Sequence, residues 1–160
     1  MKWVLWIVGG LVVLVGLMAA IGAMLPVRHQ ASRRAKYRAT PDALYRVMTG
    51  PPDWRPGVKA SGSVSDKSWW EQDSRGQKIT YEVVEDQGPS RRVVRIADRG
   101  LPFGGTWTYE IAPEEGGSEL RITEDGEIYN VIFRFLAKTV FGYTSTMDAY
   151  LSDLKRKFGE

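Results

Sequence analysis

The sequence lacks cysteine entirely and contains a single histidine, which together exclude several kinds of active site. Without thiols there is no disulfide framework, thiol nucleophile, iron–sulfur cluster or thiolate zinc site. The phosphate-binding loop, the dinucleotide fingerprint, the serine-hydrolase elbow and the zinc-protease motif are missing as well. We therefore expect no metal and no cofactor, and we assign no catalytic residue.

The sequence also has little excess of charge of either sign. The 22 lysines and arginines nearly balance the 19 aspartates and glutamates, which leaves a formal net charge of +3. The basic residues are interspersed with acidic ones and do not gather into a patch. A nucleic-acid partner is therefore not expected.

The amino-terminal segment has no ionisable side chain between Lys2 and Arg28. The stretch Trp3 to Leu25 is almost wholly apolar. At about 1.5 Å per helical residue, it is long enough to cross a hydrocarbon layer of about 30 Å. We predict a single-pass transmembrane anchor over residues 1–27.

Two alternatives remain for this segment: it is either cleaved or retained, and the domain that follows lies on one side of the membrane or the other. The small-x-small tripeptide Ala20-Ile21-Gly22 would suit a signal peptidase, but apolar cores of signal peptides usually run only about 7 to 15 residues. We therefore favour a retained anchor. More Lys and Arg residues follow the span than precede it, so the positive-inside rule favours a cytoplasmic domain over an extracytoplasmic one.

Residues 28–160 are expected to form one domain that begins with a strand and a short helix. Small or apolar side chains share one parity between residues 28 and 38, which predicts a half-buried strand, although Arg33 breaks the pattern. Thr40-Pro41-Asp42 is a typical helix start, with a hydroxyl cap and proline at the first position. Gly50-Pro51-Pro52 ends that helix.

Residues 58–128 show a period of two, interrupted by turn clusters, which predicts about six further strands. Since no helical pattern lies between these strands, the sheet should be antiparallel. The residues expected to face inward are Ile79, Tyr81, Val83, Val94, Ile96, Trp107, Tyr109, Ile111, Leu120 and Ile122.

The carboxyl end changes to a helical period. Apolar residues recur every three or four positions from Ile132 to Phe158, which predicts one helix over about 131–158 with a kink at Gly142. Its first half is apolar on nearly every side and needs cover from sheet, ligand or lipid. Phe133 and Phe141 lie outside the main stripe.

This order of elements resembles the START-like, helix-grip fold of the SRPBCC superfamily, particularly its polyketide cyclase/dehydrase and lipid-transport branch. The motifs that carry the resemblance are Ala39-Thr40-Pro41-Asp42-Ala43-Leu44-Tyr45, Asp53-Trp54, Gly105-Thr106-Trp107-Thr108-Tyr109 and Tyr150-Leu151-Ser152-Asp153-Leu154-Lys155. The resemblance implies an α+β fold in which a curved antiparallel sheet of about seven strands surrounds a long C-terminal helix.

In such a fold the sheet and the helix enclose an apolar cavity, which is the expected ligand site. The alternative for each aromatic ring is that it simply fills the core. Leu101-Pro102-Phe103 reads as a loop tip able to cover the cavity mouth. The candidate ligand-binding residues are Trp69, Tyr81, Phe103, Trp107, Tyr109, Tyr143, Met147 and Tyr150.

Candidate acid–base groups are few. Glu124, Asp125 and Glu127 surround Gly126, with Glu110 on a neighbouring strand, and such a group could raise the pKa of one carboxyl. A charged rim around a turn is the expected role. We expect His29, beside the span, to be a solvated linker residue.

These observations lead to one hypothesis and two alternatives. The leading hypothesis is membrane-anchored, non-catalytic binding or transport of an apolar small molecule such as a lipid, a quinone or a polyketide-like compound. A cyclase or dehydratase acting on a ketide-like substrate would need a carboxylate inside the cavity. A co-chaperone-like interaction module would show a collapsed core and an exposed apolar patch.

Overall fold

A seven-stranded antiparallel sheet forms the body of the protein. This computed structural model describes residues 2–160. The strands are β1 (Arg28–Tyr37), β2 (Val58–Ser65), β3 (Ser68–Asp73), β4 (Lys78–Gln87), β5 (Arg91–Ile96), β6 (Phe103–Glu114) and β7 (Gly117–Ile128). The α-helices are α1 (Lys2–Met24), α2 (Pro41–Thr49), α3 (Val131–Leu136) and α4 (Ser145–Lys157), with a 3-10 turn at Pro52–Trp54 and a π-helical turn at Ala137–Phe141.

The strands follow the order β1-β7-β6-β5-β4-β3-β2. Strands β2 to β7 therefore form an unbroken meander, and β1 returns to pair with β7. The prediction of six antiparallel strands after residue 58 is confirmed. Because β1 follows α1 directly, the end of the sheet nearest α1 holds the start of β1 and the end of β7, with Arg28 opposite Glu127.

The predicted alternation is confirmed on the inner face of the sheet. Ile111, Leu120 and Ile122 are buried in the core, together with Tyr37 at the end of β1. Arg33, which broke the pattern in β1, also lies on this face. Its Nε donates to Asp148 Oδ1 at 2.9 Å and its Nη2 donates to Thr144 Oγ1 at 2.9 Å. An inward charge is tolerated there because the start of α4 supplies its acceptors.

The first helix of the domain forms as predicted. Thr40 Oγ1 accepts from the backbone N–H of Ala43, and Pro41 occupies the first helical position. The chain turns away after Gly50. Leu44 lies fully buried against the core, so α2 closes the end of the sheet far from α1.

The interruption of the terminal helix falls at Gly142, where a kink was predicted, but the prediction that the helix continues through it was wrong. The helical segment stops at Phe141, and α4 begins only at Ser145. Gly142 has φ of 71°, a left-handed conformation that favours glycine, so the chain changes direction here instead of bending slightly. The apolar spacing continues across this break, but Val140 is exposed and only α4 buries its stripe against the sheet.

The apolar cover for the first half of the terminal segment comes partly from α1. Gly22 lies directly against the backbone of Val131, where a Cβ would collide. Arg134 Nη1 donates to the Leu25 carbonyl at 2.9 Å, which caps the end of α1. The rest of α1 is exposed, and its length and composition suffice to cross a membrane.

We predict that Leu154→Ala destabilises the domain by about 2–5 kcal/mol, because it opens a cavity at a fully buried position of α4. Val84→Ala is the control, since Val84 is 56% exposed and its truncation should cost no more than about 0.5 kcal/mol. Urea unfolding of the full chain in nanodiscs measures both. Equal urea midpoints for the two variants would contradict the packing of α4 on the sheet.

Candidate functional site

A cavity of about 650 Å³ lies between the inner face of the sheet and the terminal helices. Seven of the eight residues predicted from sequence line it: Trp69, Tyr81, Phe103, Trp107, Tyr109, Tyr143 and Tyr150. The eighth, Met147, does not line it. Met147 is fully buried in the core, one turn before Tyr150 on α4.

The aromatic side chains hold one another in place around the cavity. Trp69 stacks on Tyr81 with ring centroids 5.4 Å apart, and both rings come from neighbouring strands. On the opposite wall, Tyr150 of α4 lies 5.7 Å from Tyr109 and 6.0 Å from Trp107. Such contacts add to the stability of each ring position, so the cavity wall is built largely from fixed aromatic surfaces.

A partly buried ion pair was missed by sequence reasoning. Arg55 Nη1 donates to both carboxylate oxygens of Glu71, at 2.9 and 2.7 Å, and the Trp69 indole donates to Oε1 at 3.2 Å. Both members of the pair line the cavity. Glu71 lies two residues after Trp69 in β3 and therefore on the same face of the strand. This parity could have identified Glu71 from the sequence as an inward-facing carboxylate. Arg55 comes from an irregular turn, which carries no periodic signal.

The tyrosines nearest this ion pair are held in the phenol form. Burial raises the pKa of Tyr81 to about 12 and raises the pKa of Tyr150 further. Burial also raises the pKa of Tyr109 well above 10.0. Their hydroxyls are therefore available as hydrogen-bond donors throughout the physiological pH range.

His29 is not the solvated linker residue expected from sequence. Its side chain is only 10% exposed, and its ring stacks on Tyr143 with centroids 4.1 Å apart. Its Nε2 lies 3.4 Å from Glu124 Oε1. The position next to the span suggested exposure, but His29 lies on the inward parity of β1. Gly126 opposite it leaves room for the ring, since a Cβ there would collide with the imidazole.

The acidic residues near Gly126 divide between the two faces of the sheet. Glu124 lines the cavity, and burial raises its pKa above 4.5 despite the opposing effect of His29. Asp125 accepts from Gln30, and Glu127 pairs with Arg28. Glu110 pairs with Arg91. The expected charged rim thus describes Glu110 and Asp125. Glu124 and Glu127 both line the cavity, and Glu127 does so while paired with Arg28.

The cavity is open at the end of the sheet nearest α1, since its lining residues Phe133 and Phe141 are 47% and 62% exposed there, and this opening is called the mouth. Phe103, Ile128, Phe133 and Phe141 line this part. The backbone N–H of Ile128 donates to the Val27 carbonyl at 2.9 Å, so the chain leaving α1 borders the mouth directly. Phe141 is 62% exposed. The apolar loop tip, the phenylalanines and the apolar helix therefore lie at one end of the domain.

The cavity lining combines apolar walls with a few polar groups. Within residues 2–160, no group of three or more His, Asp or Glu side chains could hold a metal ion. The lining is largely aromatic and aliphatic, with a few polar groups from Arg55, Glu71, His29 and Glu124. Ligand sites commonly combine an apolar wall with such sparse polar groups, which set the orientation of the ligand.

Solved structures with the same fold come from several bacteria. A START superfamily protein from Mycobacterium smegmatis superposes with a TM-score of 0.67 over 82% of this chain and 97% of its own, at 14% sequence identity. A conserved protein from Geobacillus kaustophilus gives a TM-score of 0.66 over 82% of this chain and 95% of its own, at 12% identity. This chain therefore has the helix-grip fold of the START superfamily.

Sequence comparisons add little beyond the fold. No protein-family model matches the chain. Peptide chain release factor 2 from Mycolicibacterium vanbaalenii is 36% identical over 66 residues, which is 40% of this chain. This chain spans only 17% of the length of that release factor, so the similarity concerns a small part of it.

We predict that Glu124→Gln changes how stability depends on pH. Because burial raises the Glu124 pKa in the folded state, its contribution to stability is greatest below its ordinary value of 4.5 and declines as pH rises through the folded value. The stability of the native sequence should therefore fall relative to the variant over that interval. Urea unfolding across a pH series measures this, with Glu115→Gln in an exposed turn as the charge-matched control. A constant difference at all pH values would contradict burial of the Glu124 carboxyl.

Proposed function

We propose that this protein is a membrane-anchored, non-catalytic binding or transport protein for an apolar or amphipathic small molecule. The observation that carries the proposal is the aromatic cavity of about 650 Å³ whose mouth lies beside the apolar helix α1. Pockets for small molecules typically measure about 300–1,000 Å³. The cavity is thus of a size suited to a lipid, a quinone or a polyketide-like compound.

The relation between α1 and the mouth supports exchange of the ligand with a bilayer. α1 packs on α3 through Gly22, and Phe133 of α3 lines the cavity. With α1 across the bilayer, the mouth would face its surface, and an apolar ligand would enter without passing through water. Avoiding water removes a transfer cost of roughly 25 cal/mol per Å² of apolar surface. This arrangement favours the lipid-transport branch of the superfamily.

A cyclase or dehydratase is the second candidate, because the carboxylate that such an enzyme needs is present. Glu124 faces the cavity beside His29, and the tyrosine phenols could serve as acids. Conversion of a ketide-like compound by the full chain, lost in Glu124→Gln, would favour this function over passive binding. The open cavity argues against the third alternative, an interaction module with a collapsed core.

The soluble domain is proposed to lie in the cytoplasm. Lysines and arginines near the carboxyl end of α1, among them Arg28, Arg34 and Lys36, outnumber the single Lys2 before it. Acidic partners such as Glu127 matter little to this rule, which counts Lys and Arg. The ion pair between Arg28 and Glu127 therefore does not weaken the assignment.

We predict that Ala137→Trp reduces the amount of bound ligand severalfold, because Ala137 lines the cavity and the indole would occupy part of it. The matched control is Ala149→Trp on the exposed side of α4. Both variants and the native chain are purified in mild detergent, extracted with organic solvent and compared by mass spectrometry. An empty native protein in repeated preparations would contradict the proposed function, as would equal loads in both variants.

We predict that Glu115→Cys reacts with a membrane-impermeant maleimide only after cells are permeabilised. The native chain has no cysteine, so it serves as an unreactive control and the label reports one exposed turn of the domain. Labelling of intact cells at the same rate as permeabilised cells would place the domain on the outer side and reverse the proposed orientation.

A further inference from the structure

Two polar pairs line the cavity, His29 with Glu124 and Arg55 with Glu71. Its mouth is formed by phenylalanines, including Phe103 at the start of β6. Tyr109 lies six residues further along the same strand, which is about 20 Å at the usual rise of a strand. Tyr109 contacts Tyr150, and the Arg55 guanidinium carbon lies 5.2 Å from the Tyr150 ring centroid. The Arg55–Glu71 pair thus lies at the end away from the anchor, whereas His29 and Glu124 lie closer to α1.

Arg55 has donors that the protein does not use. A guanidinium carries five N–H groups on three nitrogens. Within residues 2–160, its side-chain hydrogen bonds all run from Nη1 to Glu71. Its Nε and Nη2 make no hydrogen bond to a protein acceptor in that part of the chain, although the side chain is only 26% exposed. A group in the cavity that accepts hydrogen bonds would satisfy them.

The surrounding groups define which acceptor fits. Arg55 and Glu71 cancel each other's charge, so a ligand anion at this end would lack a full counter-charge, and burying such an anion is costly. Tyr109 and Tyr150 are protonated phenols and add donors. The Glu71 oxygens are already occupied by Arg55 and the Trp69 indole. A neutral oxygen acceptor, such as the carbonyl of a ketone or quinone, therefore suits the site better than a carboxylate or an ammonium group.

We propose, as a refinement that rests on the function above, that the ligand is a neutral carbonyl compound with an apolar chain and enters head first. Its carbonyl oxygen accepts from the unused N–H groups of Arg55, beside Tyr109 and Tyr150. Its chain extends past Phe133 toward the bilayer. The ion pair with Glu71 holds the guanidinium in this position, so Glu71 is a positioning residue.

The orientation is tested by photo-crosslinking the full chain in lipid nanodiscs. The probes are two long-chain methyl ketones that carry a diazirine either near the carbonyl or at the far end of the chain. The first should label peptides that contain Tyr109 or Tyr150, and the second should label peptides that contain Phe133 or Phe141. The reverse pattern, or labelling of the mouth by both probes, would overturn the head-first orientation.

Recognition of the carbonyl is tested by competition against the first probe. Unlabelled methyl ketone should protect the labelled site at a concentration about tenfold lower than an alkane of equal length, because hydrogen bonds to charged groups contribute strongly to affinity. In the double variant Arg55→Met/Glu71→Gln, which removes both charges and the N–H donors of residue 55, this preference should disappear. Thermal unfolding of the same samples shows whether the variant is folded.

The outcomes distinguish a failure of carbonyl recognition from a failure of ligand binding. Equal protection by ketone and alkane in the native chain, with the cavity still labelled, would overturn carbonyl recognition and leave ligand binding in place. A ketone preference that survives in the folded double variant would overturn the role of Arg55. Absence of cavity labelling with both probes would overturn the proposed binding function itself.

Discussion

The packing of α4 on the inner face of the sheet is the contact on which the rest of the structure depends. Met147, Leu151 and Leu154 of α4 form the core with Leu120 and Ile122 of β7. This core occupies the half of the sheet next to β1 and β7. Since one helix covers only part of a seven-stranded face, the remaining part stays open and forms the cavity, over β3 to β6 and the ends of β1 and β7 nearest α1. Stability and ligand space are thus produced by the same helix.

The start of α4 is determined by polar contacts and not by apolar packing alone. Arg33 binds Asp148 and Thr144 in the first turn of α4, and Gly142 allows the chain to enter that turn from a different direction. The left-handed glycine therefore separates the segment that grips the sheet from the segment that borders the mouth.

The ion pair between Arg55 and Glu71 has little value as a stabilising device. Removing two charges from water costs about as much as their attraction returns, so apolar residues of similar shape would serve the fold equally well. The pair nevertheless lies on the wall of an aromatic cavity, with Tyr150 beneath the guanidinium. Its position on the cavity wall is the feature that the proposed carbonyl recognition uses.

How far the sequence predicts this protein depends on whether a feature is periodic. The alternation of Trp107, Tyr109 and Ile111 identified the inner face of β6, and Thr40-Pro41-Asp42 identified the start of α2, because both are local patterns. A kink was predicted at Gly142, but a full break was not, because the helical spacing happens to continue across it. Arg55 was missed because it lies in an irregular turn. His29 was misjudged because its position next to the span suggested exposure, although its parity in β1 indicated an inward side chain. Polar site residues depend on contacts between distant segments, such as His29 with Glu124, which no local pattern contains.

The helix α1 also determines where α3 lies in this structure. Arg134 donates to the carbonyl of Leu25 at the end of α1, and Gly22 allows Val131 to lie directly against the helix. These contacts fix the position of α3 along the axis of α1. With α1 across a bilayer as proposed, the same contacts place Phe133 and the exposed Phe141 close to the membrane surface, where apolar side chains lose little by exposure. The apolar character of residues 131–141, which no ordinary surface helix would tolerate, then follows from having the cavity on one side and lipid on the other.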